Sequence, residues 1–128
     1  MSRQTVYSKE APKPIGPYSQ AICYDRLVFT SGQIPIDART GELAGSDVGD
    51  QTKQVLENLS FVLKAAESSL DAVIKTTIYL KNMNDFTRVN QVYASYFGQS
   101  PPARSTVEVS RLPKDVLVEI DCIAVREK

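Results

Sequence analysis

The chain has 128 residues, of which 42% are apolar, enough for one domain with a hydrophobic core and too few for two ordinary domains. Lysine plus arginine and aspartate plus glutamate both number 15, so the formal net charge is zero, and no clustered basic stretch of the kind that binds nucleic acid is present. The absence of histidine excludes Ser-His-Asp triads, Cys-His dyads and the common histidine-containing zinc sites.

The chain begins with a pattern of short strands. Residues 4–7 form a candidate strand, and residues 20–24 and 27–34 are rich in Ile, Val, Phe and Tyr. The two longer stretches are separated by Asp25-Arg26, which predicts a hairpin that turns at this pair.

A loop and then a long helix are predicted next. The loop covers residues 35–47 and ends at Asp47, a plausible N-cap. Apolar residues then recur at three- and four-residue steps, which is the spacing of one face of a helix. This stripe contains Val48, Thr52, Val55, Leu56, Leu59, Val62, Leu63 and Ala66.

The next two elements are a strand and a second helix. The helix is expected to be capped by Asn82 or Asn84 and to end at Gly98. The predicted strand has Ala72, Ile74, Thr76, Ile78 and Leu80 on one side and Lys75, Thr77 and Tyr79 on the other. One face of the predicted helix carries Phe86, Val89, Tyr93 and Tyr96 or Phe97.

The last quarter of the chain predicts two strands paired with each other. Residues 101–109 and 116–125 both alternate apolar and polar side chains, which is typical of paired strands with one buried face. Arg104 stands at the start of the first strand and Glu119 inside the second. A cation and a carboxylate on neighbouring strands indicate either an ion pair or a small-molecule site.

The predicted elements form an α+β fold whose sheet has one uncovered face. Two helices can cover only one face of the sheet. The other face carries Tyr79, Leu117, Ile123 and Val125, which is too apolar to remain in contact with water. We therefore expect an oligomer, in which sister subunits bury this face.

Arg104 and Glu119 are the strongest candidates for chemistry. A guanidinium binds a carboxylate through two parallel hydrogen bonds, which suits a small organic acid, although an ion pair with Glu108 or Glu119 is the structural alternative. Leu117 and Asp121 flank Glu119 on its own side of the strand and tend to raise the pKa of this carboxyl, as a general base near neutrality requires. The alternative is an edge carboxylate that faces solvent or pairs with a lysine.

Four further residues are weaker candidates. Ser31-Gly32 ends a strand where glycine permits close approach to a ligand, or where the chain simply turns. Tyr18 follows Gly16-Pro17 and is either an aromatic lid or a packing residue. Asn90 lies beside the apolar stripe of the second helix, where it either reaches a subunit seam or is solvated.

Nothing in the sequence indicates a membrane, a metal or a redox site. No stretch has signal-peptide or membrane-spanning length, so we expect a cytoplasmic protein. Cys23 and Cys122 lack metal-ligand spacing and are expected to be small buried apolar residues rather than a disulfide.

Several motifs together resemble the Rid (YjgF) family of enamine and imine deaminases. The resemblance covers nearly the whole chain, in order and without large gaps. Its most specific block is the segment from Arg104 to Asp115. The matching blocks are Ile15-Gly16-Pro17-Tyr18-Ser19-Gln20, Thr30-Ser31-Gly32-Gln33-Ile34-Pro35, Lys75 to Leu80, Met83-Asn84-Asp85-Phe86, Val89-Asn90 and Arg104 to Asp115.

The resemblance implies a single RidA-like domain over residues 1–128. It implies a chorismate-mutase-like α+β fold with about six strands in a mixed, mostly antiparallel sheet and two helices on one face. It also implies a homotrimer with three clefts between subunits. The implied activity is hydrolysis of short-chain 2-imino acids, such as 2-iminobutanoate and 2-iminopropanoate, to 2-keto acids and ammonia, without cofactor or metal.

The resemblance also implies roles for individual residues. Arg104 would bind the substrate carboxylate, and Glu119 would hold and polarise the attacking water. Tyr18, Ser31, Gly32 and Asn90 would line the cleft. Thr106 departs from the family pattern, because many relatives have cysteine there, but threonine is similar in size and should preserve the pocket.

Two other classes of function stay open. A non-catalytic module could use Arg104 to hold a small acid and signal to a partner. An endoribonuclease or translation inhibitor, a label attached to some relatives, is disfavoured by the zero net charge and the absence of histidine. A chaperone-like role is neither supported nor opposed by the residues.

Overall fold

Six strands form one mixed sheet, and two α-helices pack on one of its faces, in a computed structural model that describes residues 2–127. This confirms the predicted α+β architecture. In chain order the elements are β1 (Gln4–Val6), β2 (Ala21–Tyr24), β3 (Leu27–Thr30), α1 (Val48–Ala65), β4 (Val73–Leu80), α2 (Phe86–Phe97), β5 (Ala103–Glu108) and β6 (Val118–Val125).

The order of strands in the sheet is β1-β2-β3-β6-β4-β5. All neighbours are antiparallel except β4 and β5, which are parallel and are joined through α2. The prediction that β5 and β6 pair with each other is wrong, because β6 lies between β3 and β4. Alternation identifies a strand but not its partner, and a strand-helix-strand segment favours parallel pairing of the two strands that it joins.

The hydrophobic core lies between the sheet and the helices. The β4 and β6 residues that face α1 are fully buried, among them Ile78, Leu80, Val118 and Ile120. They pack in one cluster with the α1 stripe that the sequence predicted. Asp47 caps α1 as predicted, since its Oδ2 accepts hydrogen bonds from the amides of Gly49 (2.9 Å) and Asp50 (3.2 Å).

Two predicted details of the strands are wrong. The strand expected over residues 27–34 ends at Thr30, and only Gln33 returns to the sheet, where it exchanges backbone hydrogen bonds with Ile120 at 2.9 and 3.2 Å. In β4 a bulge between Val73 and Lys75 turns Ile74 outward, leaving it 48% exposed, while Val73 takes the core position. A bulge shifts the alternation by one residue, which a strict period of two cannot anticipate.

The start and end of α2 also differ in detail from the expectation. Asn82 does not cap α2 itself; its side chain accepts a hydrogen bond from the amide of Asn84 and caps a single 3₁₀ turn, Met83–Asp85, that leads into the helix. At the other end Phe97, rather than Tyr96, is buried in the core.

The face of the sheet opposite the helices is uncovered within residues 2–127 and largely apolar. Tyr24, Phe29 and Val107 are 48%, 42% and 42% exposed, and Phe29 lies directly opposite Ile123 in the ladder. Leu117, which the sequence placed on this face, instead packs partly against the core. An apolar face that crosses several strands is the kind of surface that another molecule covers.

Cys23 and Cys122 are both buried and unpaired, as predicted. None of the helices within residues 2–127 is long and apolar enough to span a membrane.

Candidate functional site

Glu119 lies in a cavity of about 270 Å³, called here the Glu119 half-site. Three of the predicted site residues, Tyr18, Ser31 and Gly32, lie in the same cavity. The full lining is Ile15, Tyr18, Ser31, Gly32, Ile34, Pro113 and Glu119.

Glu119 packs directly on Gly32. A Cβ atom built on Gly32 would overlap the Glu119 carboxylate and lie 2.8 Å from its Cδ, so any larger residue would displace the carboxylate from this position. Burial, and then the charge of the neighbouring Asp121, raise the pKa of Glu119 above its ordinary value. The direction agrees with the one expected from the sequence, because burial and a neighbouring acid both favour the protonated carboxyl.

Asp121 extends this environment across the open face of the sheet. Its Oδ2 accepts a hydrogen bond from the Tyr79 hydroxyl at 3.1 Å. Burial raises the pKa of Asp121, although the Tyr79 hydrogen bond and the charge of Lys75 act in the opposite direction. Two carboxyls on one half-buried face each make the other harder to ionise.

The loop that carries Tyr18 is tied down by Gln20, which sequence analysis did not single out beyond its motif. Gln20 is 1% exposed, and its side chain accepts from the Ser8 amide (2.6 Å) and donates to the carbonyls of Ser8 (3.2 Å) and Pro12 (2.9 Å). A buried amide with three partners fixes the loop because any displacement would leave a buried polar group unpaired. The only sequence signal for this anchoring role was the position of Gln20, a single glutamine directly before an apolar strand.

Ser31 and Tyr18 are held by the same loop. The Ser31 hydroxyl donates to the Ser19 carbonyl at 2.6 Å, and its amide donates to the Gln20 carbonyl at 2.9 Å. The Ser31 hydroxyl therefore already donates its proton to a backbone carbonyl of the same chain. The Tyr18 hydroxyl accepts from the Ile15 amide at 3.2 Å, while 44% of Tyr18 stays exposed beside the cavity.

Arg104 lines a second cavity, of about 340 Å³, called here the Arg104 half-site. Its guanidinium carbon lies 5.0 Å from the ring centre of Tyr93 and 5.5 Å from that of Phe86. Arg104 forms no ion pair with Glu108 or Glu119, the two partners considered from the sequence, or with any other carboxylate within residues 2–127. The other lining residues are Asn90, Tyr93, Ala94, Phe97, Gly98, Pro101 and Pro102.

Two buried polar atoms near Arg104 lack partners in the described part of the chain. They are Oδ1 of Asn90, which lines the same cavity, and Oγ1 of Thr106, two residues beyond Arg104 on the same side of β5. Buried polar atoms are almost always hydrogen-bonded, so an unpaired pair beside a free guanidinium indicates a place for a polar ligand or water.

One chain does not bring Arg104 and Glu119 together. Arg104 lies opposite Thr76, on the helix side of the sheet, whereas Glu119 lies opposite Tyr79, on the open side. The two residues are two strands apart and three residues out of register, which separates their Cα atoms by roughly 14 Å. The expectation that they occupy neighbouring strands is wrong, because β4 lies between β5 and β6.

No group of three or more acidic or cysteine side chains with metal-binding geometry occurs in the range 2–127. The polar groups at the two half-sites are a guanidinium, a carboxyl of raised pKa and neutral side chains.

Comparison with known proteins finds strong similarity over nearly the whole chain. The sequence model of the family described as endoribonuclease L-PSP matches residues 8–126. The RutC family protein PH0854 of Pyrococcus horikoshii is 59% identical over 125 residues, covering 98% of this chain and 99% of the relative.

Two solved structures have the same fold. The protein YyfA of Yersinia pestis, assigned to the conserved Rid protein family, is 50% identical with a TM-score of 0.94 and covers 97% of this chain and 99% of its own. TdcF of Escherichia coli, solved with bound serine, is 42% identical with a TM-score of 0.91 over 97% of this chain and 99% of its own.

Proposed function

Since the chain belongs to the Rid (YjgF) family, which is also described as the endoribonuclease L-PSP and RutC family, we propose that it hydrolyses short-chain 2-imino acids and their enamine tautomers. The products are 2-keto acids and ammonia, and 2-iminobutanoate and 2-iminopropanoate are the expected substrates. We treat residues 1–128 as one RidA-like domain acting in the cytoplasm.

The observation that carries the proposal is the division of complementary chemistry between the two half-sites. Arg104 has no ion-pair partner among residues 2–127, and Glu119 has a raised pKa. Because they lie on opposite sides of the sheet, they can act on one small molecule only if two copies of the chain meet. A homotrimer with three equivalent clefts joins the halves, and burial of the apolar sheet face would drive its assembly.

In such a cleft Arg104 would fix the substrate. Its guanidinium binds the carboxylate of the 2-imino acid through two parallel hydrogen bonds, which sets the position of C2. The orphaned oxygen of Asn90 can accept a hydrogen bond from the imino N–H, and the Thr106 hydroxyl can donate to the carboxylate or to a bridging water.

Glu119 of the adjoining copy would supply the base. A water molecule adds to C2 of the protonated imine while the Glu119 carboxylate takes one of its protons, forming a carbinolamine. Glu119 then passes that proton to nitrogen, and the C2–N bond breaks. As ammonia leaves, the carbinolamine hydroxyl gives its own proton back to the Glu119 carboxylate and C2 becomes the ketone carbon; the departing ammonia takes up this proton as ammonium and restores the carboxylate. The substrate is already electrophilic, so no covalent enzyme intermediate and no cofactor is needed.

A second candidate function is a regulatory trimer that binds a small acid without changing it. The bound serine of Escherichia coli TdcF favours it, because serine is a stable amino acid with the carboxylate that Arg104 would hold. The endoribonuclease of the family description has less support in this chain, which has no histidine and a net charge of zero.

A competition assay tests the proposal. Threonine dehydratase generates 2-iminobutanoate while semicarbazide traps it, and semicarbazone formation is followed without added protein, with the wild type, and with Arg104→Ala and Glu119→Gln. We expect the wild type to suppress trapping and each variant alone to lose at least about a hundredfold in rate.

Mixing the two variants tests whether Arg104 and Glu119 act from different copies of the chain. The two variants are unfolded, mixed in equal amounts and refolded together. Each cleft then takes its Arg104 half-site from one subunit and its Glu119 half-site from the next, and each half-site is intact in half of the subunits. About a quarter of the clefts would therefore contain both intact half-sites. Recovery of about that share of wild-type activity supports the shared cleft. No suppression by the wild type with several imino acids would overturn the catalytic proposal, and saturable acid binding would then favour the regulatory trimer.

A further inference from the structure

Arg104 is held by aromatic rings instead of by charge. Within the described residues it forms no ion pair, and its guanidinium lies over Tyr93 and Phe86, which are seven residues apart on the same side of α2. An arginine on an edge strand has a long side chain with many rotamers, so something must restrict it if it is to present its N–H groups in one direction. Stacking on a ring does so while leaving the N–H edges of the guanidinium free.

Tyr93 is the more rigid of the two rings. It is 5% exposed, whereas Phe86 is 36% exposed. Its hydroxyl makes a buried hydrogen bond of 2.7 Å with Oγ1 of Thr76, and its ring lies 4.5 Å from that of Phe97 at a tilt of 36°. Both ends of the tyrosine are therefore fixed.

Thr76 connects this ring back to Arg104. In the parallel ladder Thr76 of β4 lies directly opposite Arg104 of β5. The backbone pairing that places the arginine thus also places the hydroxyl that fixes the tyrosine, and the tyrosine ring lies beside the guanidinium. The strand pairing, the hydrogen bond and the ring contact therefore all restrain the same side chain, that of Arg104.

We propose that Tyr93, anchored by Thr76, is a positioning residue that fixes the plane of the Arg104 guanidinium for carboxylate binding. This rests on the proposed function in one respect: the bound group is taken to be the carboxylate of a small acid. The role is one of orientation, since the Tyr93 hydroxyl is occupied by Thr76 and only the ring faces the arginine.

Orientation of this kind should affect binding more than the chemical step. If the arginine side chain samples several rotamers, binding of the acid must select one of them, and this costs conformational entropy. The cost weakens affinity for any ligand that needs the two parallel N–H groups. Once the acid is bound, the two N–H groups still hold its carboxylate, so the position of C2 relative to the water and Glu119 is kept. The signature is therefore a raised KM and Kd with kcat nearly unchanged.

The sharpest variant is the double substitution Thr76→Val with Tyr93→Phe. It removes both hydroxyls of one buried hydrogen bond, which is far less destabilising than leaving one of them unpaired. It keeps the ring but releases its anchor, and Tyr93→Leu removes the ring as well. Tyr96→Phe is the matched control, because Tyr96 is on the same helix and its hydroxyl bonds to Glu57 at 2.8 Å, away from Arg104.

Calorimetry with 2-oxobutanoate, and with 2-oxobutanamide as the neutral counterpart, measures the effect. We expect the Kd for the acid to rise about threefold in the double variant and about tenfold in Tyr93→Leu, with Tyr96→Phe unchanged. The amide, which does not use the paired N–H groups, should be unaffected by the double variant and by Tyr96→Phe, and should lose less affinity than the acid in Tyr93→Leu, where a ring that lines the cavity is removed. In the coupled assay KM should rise in parallel while kcat stays within about twofold of the wild type.

The outcomes separate the two proposals. A folded double variant with wild-type affinity for the acid overturns the positioning role, and so does an equal loss for acid and amide, which would indicate a general disturbance of the pocket. If the wild type binds the acid but does not deaminate imines, the proposed function fails while the affinity comparison still decides the role of Tyr93. If the wild type does not bind the acid at all, the positioning role fails, and the trapping assay alone decides the proposed function.

Discussion

The two half-sites are built in different ways. In the Glu119 half-site the parts are loops tied by hydrogen bonds to a buried glutamine, and the carboxylate lies against a glycine. In the Arg104 half-site a helix supplies rings, and the cation lies among them without an ion-pair partner from residues 2–127. In the proposed mechanism, a base needs a partly desolvated environment that raises its affinity for a proton, whereas a binding arginine needs its N–H groups left unused. The two halves differ as these proposed roles require.

The largest effect should come from separating the halves while leaving each intact. Phe29→Asp places a charge on the open sheet face, between Ile22 and Ile123 in the ladder. A buried, unpaired carboxylate is too costly for an apolar interface, so we expect monomers and a loss of at least about a hundredfold in deaminase activity. Sedimentation velocity measures the assembly, and circular dichroism checks the fold.

Leu43→Asp is the control for this change. Leu43 is 40% exposed in the loop before α1, away from the sheet face. An active monomer of Phe29→Asp would show that one chain suffices for catalysis and would contradict the division of the site.

A smaller and more local effect should follow from Gly32→Ala. The new Cβ must displace the Glu119 carboxylate, and misplacing a catalytic group by about 1 Å can cost about a hundredfold in kcat. Acid binding at Arg104 should be unchanged. In a Glu119→Ala background the same substitution should have no further effect on kcat, and an additional loss there would mean that Gly32 acts through something other than Glu119.

The smallest effect should be a shift in pH dependence. Asp121→Asn removes the like charge that helps to raise the pKa of Glu119. The Glu119 pKa then falls, the carboxylate stays ionised to lower pH, and the acidic limb of kcat/KM moves to lower pH. Asp37→Asn, which alters a partly buried acid that pairs with Arg39 outside the Glu119 half-site, is the control. A shift toward higher pH, or none, would show that Asp121 does not act on the catalytic base.

Much of the local structure was predictable because local signals determine it. The α1 stripe and its Asp47 cap, the turn at Asp25-Arg26 and the strand alternation of β6 all appear as expected. The errors arise where a distant partner decides the outcome. The bulge at Ile74 is set by the register of β4 against β6, and β5 pairs with β4 because α2 carries the chain back across the sheet.

The candidate site follows the same rule. The residue pattern made Arg104, Glu119 and four further residues candidates, and the resemblance to a family gave them roles. The structure places Glu119, Tyr18, Ser31 and Gly32 in one cavity, and Arg104 and Asn90 in another. It was the pairing of strands, which the sequence did not reveal, that put Arg104 on the opposite side of the sheet. Gln20, Tyr93 and Thr76 were missed as supporting residues because a buried polar contact between distant residues leaves no periodic signal in the sequence.

The placement of Arg104 and Glu119 on opposite sides of one sheet has a consequence for protein abundance. If both are needed and come from different copies, a lone chain is inert, and catalytic capacity rises more steeply than protein concentration until assembly is complete. Dilution then lowers the activity per chain even when every chain stays folded. On the proposed function, modest changes in the amount of this protein would therefore change the rate of imine hydrolysis more than in proportion.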